Sequence, residues 1–181
     1  MRRVLDFTAL FLVIALTPGC ASPQSRPREE VMSRSSSPAV REEHRAVVHA
    51  FFARLEAFDI RGFAELFAEG GRQVMPFSPE GFPKLLDGRA AIFNQYRSMP
   101  DNFASMRFPD LVVHDMVDPS RFFVTYRGEI RLKSGGSYNN TYAGLFVIQD
   151  GQIAEYHEYF DPIVLQRAFG DALGASYNVG R

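Results

Sequence analysis

The sequence predicts an α+β domain in which one curved antiparallel sheet wraps around N-terminal helices. Three observations carry this reading. In the first half, apolar residues recur at three-to-four spacing, the period of a helix with one buried face. From Met106 onward they alternate along extended segments instead, the period of a strand with one covered face. Those segments are joined by Asp118-Pro119-Ser120, Ser134-Gly135-Gly136 and Asp150-Gly151, turn signals that bring consecutive strands together antiparallel. Helices followed by a meander make a sheet with its helices gathered on one face.

The chain begins with Met1-Arg2-Arg3 and an apolar stretch from Phe7 to Leu16. That stretch is too short to cross a hydrocarbon core of roughly 30 Å. A charged start, a short apolar run and small residues after it describe a signal peptide over residues 1–20. The run ends at Leu16-Thr17-Pro18-Gly19-Cys20-Ala21, and Cys20 is the only cysteine in the chain, so it forms no internal disulfide. Residues 21–38 are rich in Ser and Pro and poor in apolar side chains. Such a stretch cannot bury enough surface to offset its ordering entropy and reads as a disordered tether. Residues 173–181 read as a flexible tail, leaving 39–172 as the single domain, long enough to bury a sizeable core.

Within the domain, Val47, Val48, Phe51, Phe52, Leu55 and Phe58 mark a helix from Pro38 to about Phe58, with Ser37 as N-cap and Pro38 at the first position. Asp59 caps a second, short helix carrying Phe63, Leu66 and Phe67, with Gly70-Gly71 as its stop. Short strands are expected at 73–77 and 84–86. Asp87 then caps a third helix facing inward with Ile92, Phe93 and Tyr96 and ended by Pro100-Asp101. Four β segments follow, at 107–117, 122–133, 138–149 and 152–160. Asp161-Pro162 opens a C-terminal helix with Val164, Leu165 and Phe169 inward.

Composition excludes some functions. A net charge of −1 supplies no field to gather nucleic acid, and no Lys/Arg run interleaves with aromatics. His44 and His49 are wrongly spaced for a shared metal-binding face, and His114 and His157 stand alone, so neither a metal nor another cofactor is expected. Seventeen Phe and seven Tyr without a Trp point to a large aromatic interior or pocket.

The segment Gly135-Gly136-Ser137-Tyr138-Asn139-Asn140-Thr141-Tyr142-Ala143-Gly144-Leu145-Phe146, continuing through Asp150-Gly151-Gln152-Ile153 to Glu158-Tyr159-Phe160-Asp161-Pro162, resembles the SnoaL-like family. That family belongs to the ketosteroid-isomerase-like (nuclear-transport-factor-2-like) superfamily, and the resemblance spans roughly residues 41–170. It implies a cone-shaped sheet and a pocket for a small apolar molecule, and it implies a homodimer. It is nearest in pattern to limonene-epoxide hydrolases and phenazine-biosynthesis A/B proteins. The Gly19-Cys20 pair is similar to a bacterial lipobox, implying a lipid anchor at Cys20 and a place in the bacterial cell envelope. Leu16 stands four residues before the cysteine where that pattern has its aliphatic residue at three, and ordinary cleavage after Ala21 is the alternative.

Two sets of residues are candidates for chemistry. On the last strand, Ala154, Tyr156, Glu158 and Phe160 share a face that is apolar except for Glu158. A carboxylate between aromatics on a concave face is desolvated and suited to acid–base work near neutral pH; the alternative is a solvated or Arg-paired Glu at the pocket rim. On the middle strand, Arg127-Gly128-Glu129 resembles the Arg-x-Asp of the epoxide hydrolases, in which an Arg bridges two carboxyls, here Glu129 and Glu158. Alternation opposes that reading, because Phe122, Val124, Tyr126, Ile130 and Leu132 form the apolar face and leave Arg127 and Glu129 on the other. The hydrolases' water-holding Tyr and Asn fall at Arg72 and Val74, and the phenazine proteins' His and Ser fall near Gln95 and Met99, so neither activity carries over intact. Tyr126, Tyr142, Tyr156 and Phe160 are candidates for the ligand-facing wall. An enzyme, a non-catalytic envelope binding module and an epoxide hydrolase all remain open at this point.

Overall fold

The computed structural model describes residues 38–170. The signal, Ser37, Cys20, the tether and the tail lie outside the described residues. In chain order the elements are α1 (Pro38–Glu56), α2 (Ile60–Glu65), β1 (Phe67–Val74), β2 (Leu85–Asp87), α3 (Arg89–Tyr96), α4 (Met99–Asn102), β3 (Phe103–Arg107), β4 (Val112–Asp115), β5 (Arg121–Leu132), β6 (Ser137–Gln149), β7 (Gln152–Phe160) and α5 (Pro162–Phe169). The strands form one seven-stranded curved sheet in the order β2-β1-β7-β6-β5-β3, with β4 also paired to β5. The class is α+β, as the periodicities require.

Local chemistry explains the boundaries that were legible. Asp59 accepts the backbone N–H of Gly62 at 2.9 Å and so caps α2. Asp161 accepts from Ile163 and Val164, and Pro162 stands at the start of α5. Asp150 and Gly151 have φ of 50° and 73°. Both lie in the left-handed region that the predicted two-residue hairpin turn demands and that glycine adopts without steric cost.

Five expectations are corrected. Gly70-Gly71 does not stop α2; that helix ends at Glu65, and both glycines lie inside β1. They sit where the β1–β7 register shifts between Phe67 and Arg72, and a Cβ on Gly71 would stand 2.6 Å from the Ile153 carbonyl oxygen. The pair therefore marks a bulge with close backbone approach. Asp87 does not cap α3; it closes β2, and Gly88 holds the N-cap position with φ 87°. Pro100 does not end a helix but opens the short α4. The single segment expected at 107–117 is two strands: Pro109 has no N–H to donate to a ladder, Asp110 turns the chain at φ 59°, and β3 and β4 pair successively with β5. Finally, the sheet is not wholly antiparallel, because β1 and β7 run parallel. β1 reaches the sheet edge left by the meander 80-odd residues later in the chain, a pairing that no local signal encodes.

The core lies between α1–α3 and the concave face of the sheet. Phe51 is its hub: its ring centroid stands 4.9 Å from Phe63, 4.9 Å from Tyr156 and 5.1 Å from Phe146. The next residue of α1, Phe52, stands edge-on to Tyr126 at 4.7 Å. Aromatic pairs in such geometries add about 0.5–1.5 kcal/mol each beyond their burial. Helix α1 is therefore held to β5, β6 and β7 by rings.

Room for the tyrosine rings comes from glycines on neighbouring strands. A Cβ on Gly144 of β6 would stand 2.7 Å from Cε2 of Tyr156 on β7, and one on Gly128 of β5 would stand 3.0 Å from Cε2 of Tyr142 on β6. Gly144→Ala forces a displacement of the Tyr156 ring, which also stacks on Phe146 at 4.2 Å. Overpacking of this kind costs about 1–3 kcal/mol. Urea denaturation should show that loss for Gly144→Ala, whereas Gly70→Ala, which meets nothing within 4 Å, should stay within about 0.5 kcal/mol of the parent.

Candidate functional site

A cavity of about 50 Å³ lies on the concave side of the sheet, lined by residues of α1, α3, α5 and of β3, β5, β6 and β7 among others. Leu55 of α1 and Leu165 of α5 line it, together with the flexible side chains of Met75, Met99 and Met106. Among the described residues, no Lys or Arg lines it. Tyr126, Tyr142 and Phe160 line it. Tyr156 does not, which corrects its place on the ligand-facing wall. It is fully buried behind the cavity, stacked on Phe146.

Glu158 is the acidic group on this surface. Its carboxyl meets three donors. Oε1 accepts from the Tyr126 hydroxyl at 2.8 Å and from Tyr156 at 3.3 Å. Oε2 accepts from Nε2 of Gln73 at 3.1 Å. The two tyrosine hydroxyls are themselves 2.8 Å apart. Gln73 is wholly buried and bonded to the hydroxyl of Tyr96, which stands 3.0 Å from its Oε1. As a whole residue Glu158 is only half-buried, and it lines the cavity.

Burial pushes the Glu158 carboxyl above its ordinary value of 4.5, while the bonds from Tyr126, Tyr156 and Gln73 pull it back. Burial, then the neighbouring Glu158 charge, raises Tyr126, Tyr156 and Tyr96 well above 10. Burial likewise pushes Tyr138 up to about 12. These hydroxyls thus keep their protons near neutral pH and act as fixed donors or acceptors around one titrating carboxyl. A second cluster fixes the cavity floor. Tyr142 donates to Tyr138 at 2.9 Å, and Asn140 donates to Tyr138 and to the Asp161 carbonyl at 3.1 and 2.9 Å. Asn140 so ties β6 to the first turn of α5.

Arg127 and Glu129 are not brought to Glu158. Arg127 pairs with Asp110 at 2.9 Å and with Glu129 at 3.2 Å, and the side chains of both Arg127 and Glu129 are about half exposed, at 54 and 51%. They occupy the convex face, where β5 alternation puts them, so the bridged carboxylate pair of an epoxide hydrolase is not formed. Arg72 also lies outside, paired with Glu155 at 2.8 Å. The face assigned to Ala154 needs one correction: Ile153 pairs with Ile148 but Glu155 pairs with Val147. The bulge leaves Ala154 over and turns Ile153 into the core, fully buried. His44 bonds to the Pro119 carbonyl, His157 to Glu155, and among the described residues no cluster of three or more His, Cys, Asp or Glu could hold a metal. No helix there is long and apolar enough to cross a membrane.

Sequence reasoning missed Gln73 as a site residue and placed Tyr96 only as an inward-facing helix residue. The available signal was a Gln two residues before Met75 in an otherwise apolar-facing alternation. What it lacked was the partner, since Gln73 reaches Glu158 only through the parallel register that sets it opposite Tyr156.

A carboxyl with a higher pKa in the folded than in the unfolded chain holds its proton more tightly when folded. The stability it contributes is fully present below about 4.5 and is lost as pH rises through the folded value. Glu158→Gln abolishes this dependence. In thermal unfolding, the variant's melting temperature relative to the parent should therefore climb from pH 4 to pH 8; a difference that stays constant contradicts the raised pKa.

Comparison with known proteins gives a consistent picture. The model of the SnoaL-like domain matches residues 48–156. The uncharacterized protein YesE of Bacillus subtilis is 28% identical over 122 residues, which cover 66% of this chain and 82% of that protein. An uncharacterized PhzA/B-like protein of Pseudomonas aeruginosa is 28% identical over 123 residues, 67% of this chain and 86% of its own. Among solved structures, a proposed isomerase of Bacillus subtilis superimposes with a TM-score of 0.66 at 26% identity, covering 71% of this chain and 94% of that one. The curved sheet, the helices on its concave side and the matched span agree: the chain belongs to the SnoaL-like domain family.

Proposed function

We propose that this protein is an exported, lipid-anchored member of its family that binds a small, largely apolar molecule in the cone cavity and moves a proton with Glu158. The observation that carries this is the carboxyl itself: the one acidic group on a cavity without Lys or Arg, with a pKa displaced upward by burial. Such a group exchanges its proton closer to neutral pH than a solvated glutamate does. Tyr126 and Tyr156 hold Oε1, so Oε2, which among the described residues accepts only from Gln73, is the oxygen that would take a substrate proton. The isomerase activity proposed for the Bacillus subtilis relative is a reaction of this proton-moving kind, which supports the reading.

A second reading has its own support. All three donors to Glu158 come from the protein, as in a satisfied structural network, and a binding module needs no more than that. Native mass spectrometry of the protein purified from its own cells names the co-purifying molecule, and turnover of that molecule separates the two readings. Glu158→Gln should lower turnover by about 10²–10⁴-fold, the usual contribution of a positioned acid or base, while ligand still co-purifies. Turnover equal to the parent's leaves the binding module.

Export and anchoring rest on Met1-Arg2-Arg3, the apolar run and Cys20. One acyl chain anchors only marginally, at ~0.8 kcal/mol per buried CH₂, so two or more chains on Cys20 are required. Replacing Cys20 with Ser should move the protein from the membrane to the soluble fraction on cell fractionation; unchanged partition refutes the anchor.

A further inference from the structure

Gln95 is a polar residue without a polar partner. It stands on the buried side of α3 one turn after Ile92 and is only 5% exposed. It lines the cavity, yet its Nε2 has no hydrogen-bond partner among the described residues. Gln73 makes the contrast: equally buried, it is bonded to Tyr96 and Glu158. A buried amide left unpaired is costly and uncommon, and native proteins retain one chiefly where something else satisfies it. An apolar side chain of the same size would fill this position without that cost.

We propose that Gln95 is the polar anchor of the pocket, donating from Nε2 to an acceptor oxygen of the bound molecule, and that this molecule is a small uncharged carbonyl compound. The inference deepens the binding function proposed above and rests on it. Three features of the wall select the class. With no Lys or Arg on the wall and Glu158 carrying the only formal charge, a carboxylate or phosphate ligand would enter desolvated and without a counter-charge. A pure hydrocarbon would leave the Gln95 amide unpaired and would displace any water that serves it. A carbonyl oxygen accepts hydrogen bonds and needs no acceptor in return, which matches a wall on which the hydroxyls of Tyr126 and Tyr142 already donate to Glu158 and Tyr138. Met75, Met99 and Met106 are unbranched and adaptable, so the cavity can widen around a ring larger than its resting volume.

The test uses two probes of one shape, cyclopentanone and methylenecyclopentane, with cyclopentanecarboxylate as the charged control. Each is titrated by ligand-observed NMR at pH 8 into the purified chain and into Gln95→Leu. The ratio of ketone to hydrocarbon affinity should be at least about tenfold higher for the parent than for the variant, the usual value of one buried hydrogen bond, and the hydrocarbon should bind both proteins. An equal ratio in the two proteins, or carboxylate binding as tightly as ketone, overturns the assignment of Gln95 while leaving the pocket intact. Failure of both neutral probes to bind the parent overturns the pocket itself, and the inference with it.

Discussion

Burying the carboxyl of Glu158 is the constraint on which the rest of this structure turns. Taking a carboxylate out of water costs several kcal/mol even after relaxation, and hydrogen bonds to a charged group return about 1.5–3 kcal/mol each. Three donors are needed to bring these magnitudes near balance, and each has to come from a different part of the chain. Tyr126 comes from β5, Tyr156 from β7 itself, and Gln73 from β1. The antiparallel register of β5, β6 and β7 sets Val124, Gly144 and Glu158 in one row across the sheet, with Tyr126, Tyr142 and Phe160 in the next inward row. The parallel pairing of β1 then brings Gln73 alongside Tyr156. The balance stays slightly against the charge, and that residue of imbalance is the raised pKa.

The same constraint explains the glycines. A tyrosine on β7 can turn its hydroxyl toward Glu158 only if its ring lies across β6, and a side chain at 144 would occupy that space. Gly128 stands in the same relation to Tyr142. A small residue on one strand under a large ring on the next is thus a packing device that repeats along the sheet. It sets the rings at stacking distance, 4.7 Å for Tyr126 on Tyr142 and 4.2 Å for Phe146 on Tyr156. Helix α1 completes it from above through Phe51 and Phe52. The aromatic core and the polar site are therefore one assembly, in which Tyr126 and Tyr156 contribute their rings to packing and their hydroxyls to the carboxyl, and Tyr142 its ring to packing and its hydroxyl to the cavity floor.

How much of this the sequence disclosed depends on the range of the interaction concerned. Signals carried within a few residues were legible: Asp59 and Asp161 as caps, Asp150-Gly151 as a turn, and the alternation that set Glu158 with Phe160 on one face of the last strand and Tyr126 on the face of the middle strand away from Arg127 and Glu129. Signals whose meaning depends on a distant partner were misread. Gly70-Gly71 looks like a helix stop until β7 is beside it, and then it is the bulge that lets Ile153 approach. Ala154 looks like part of the inner face until the register shift opposite Val147 takes it out. Gln73 is an unremarkable strand residue until a parallel pairing sets it against a carboxyl 85 residues away.

The division of charge between the two sheet faces bears on what the cavity can accept. Arg72, Arg127 and Glu129 lie on the convex side, paired with Glu155, with Asp110 and with one another. Every one of them is within a strand that also lines the core, and alternation alone keeps it out. The cavity wall is left with Tyr hydroxyls, the Gln95 amide of α3, whose nitrogen has no partner among the described residues, and one carboxyl that charges reluctantly. In a cavity of about 50 Å³ such a wall has no means to neutralise an ion, whereas it can orient a neutral molecule between a donor and a proton acceptor. On the proposed binding function, selectivity would follow less from shape, which three methionines leave adjustable, than from the lack of a fixed positive charge among the described lining residues.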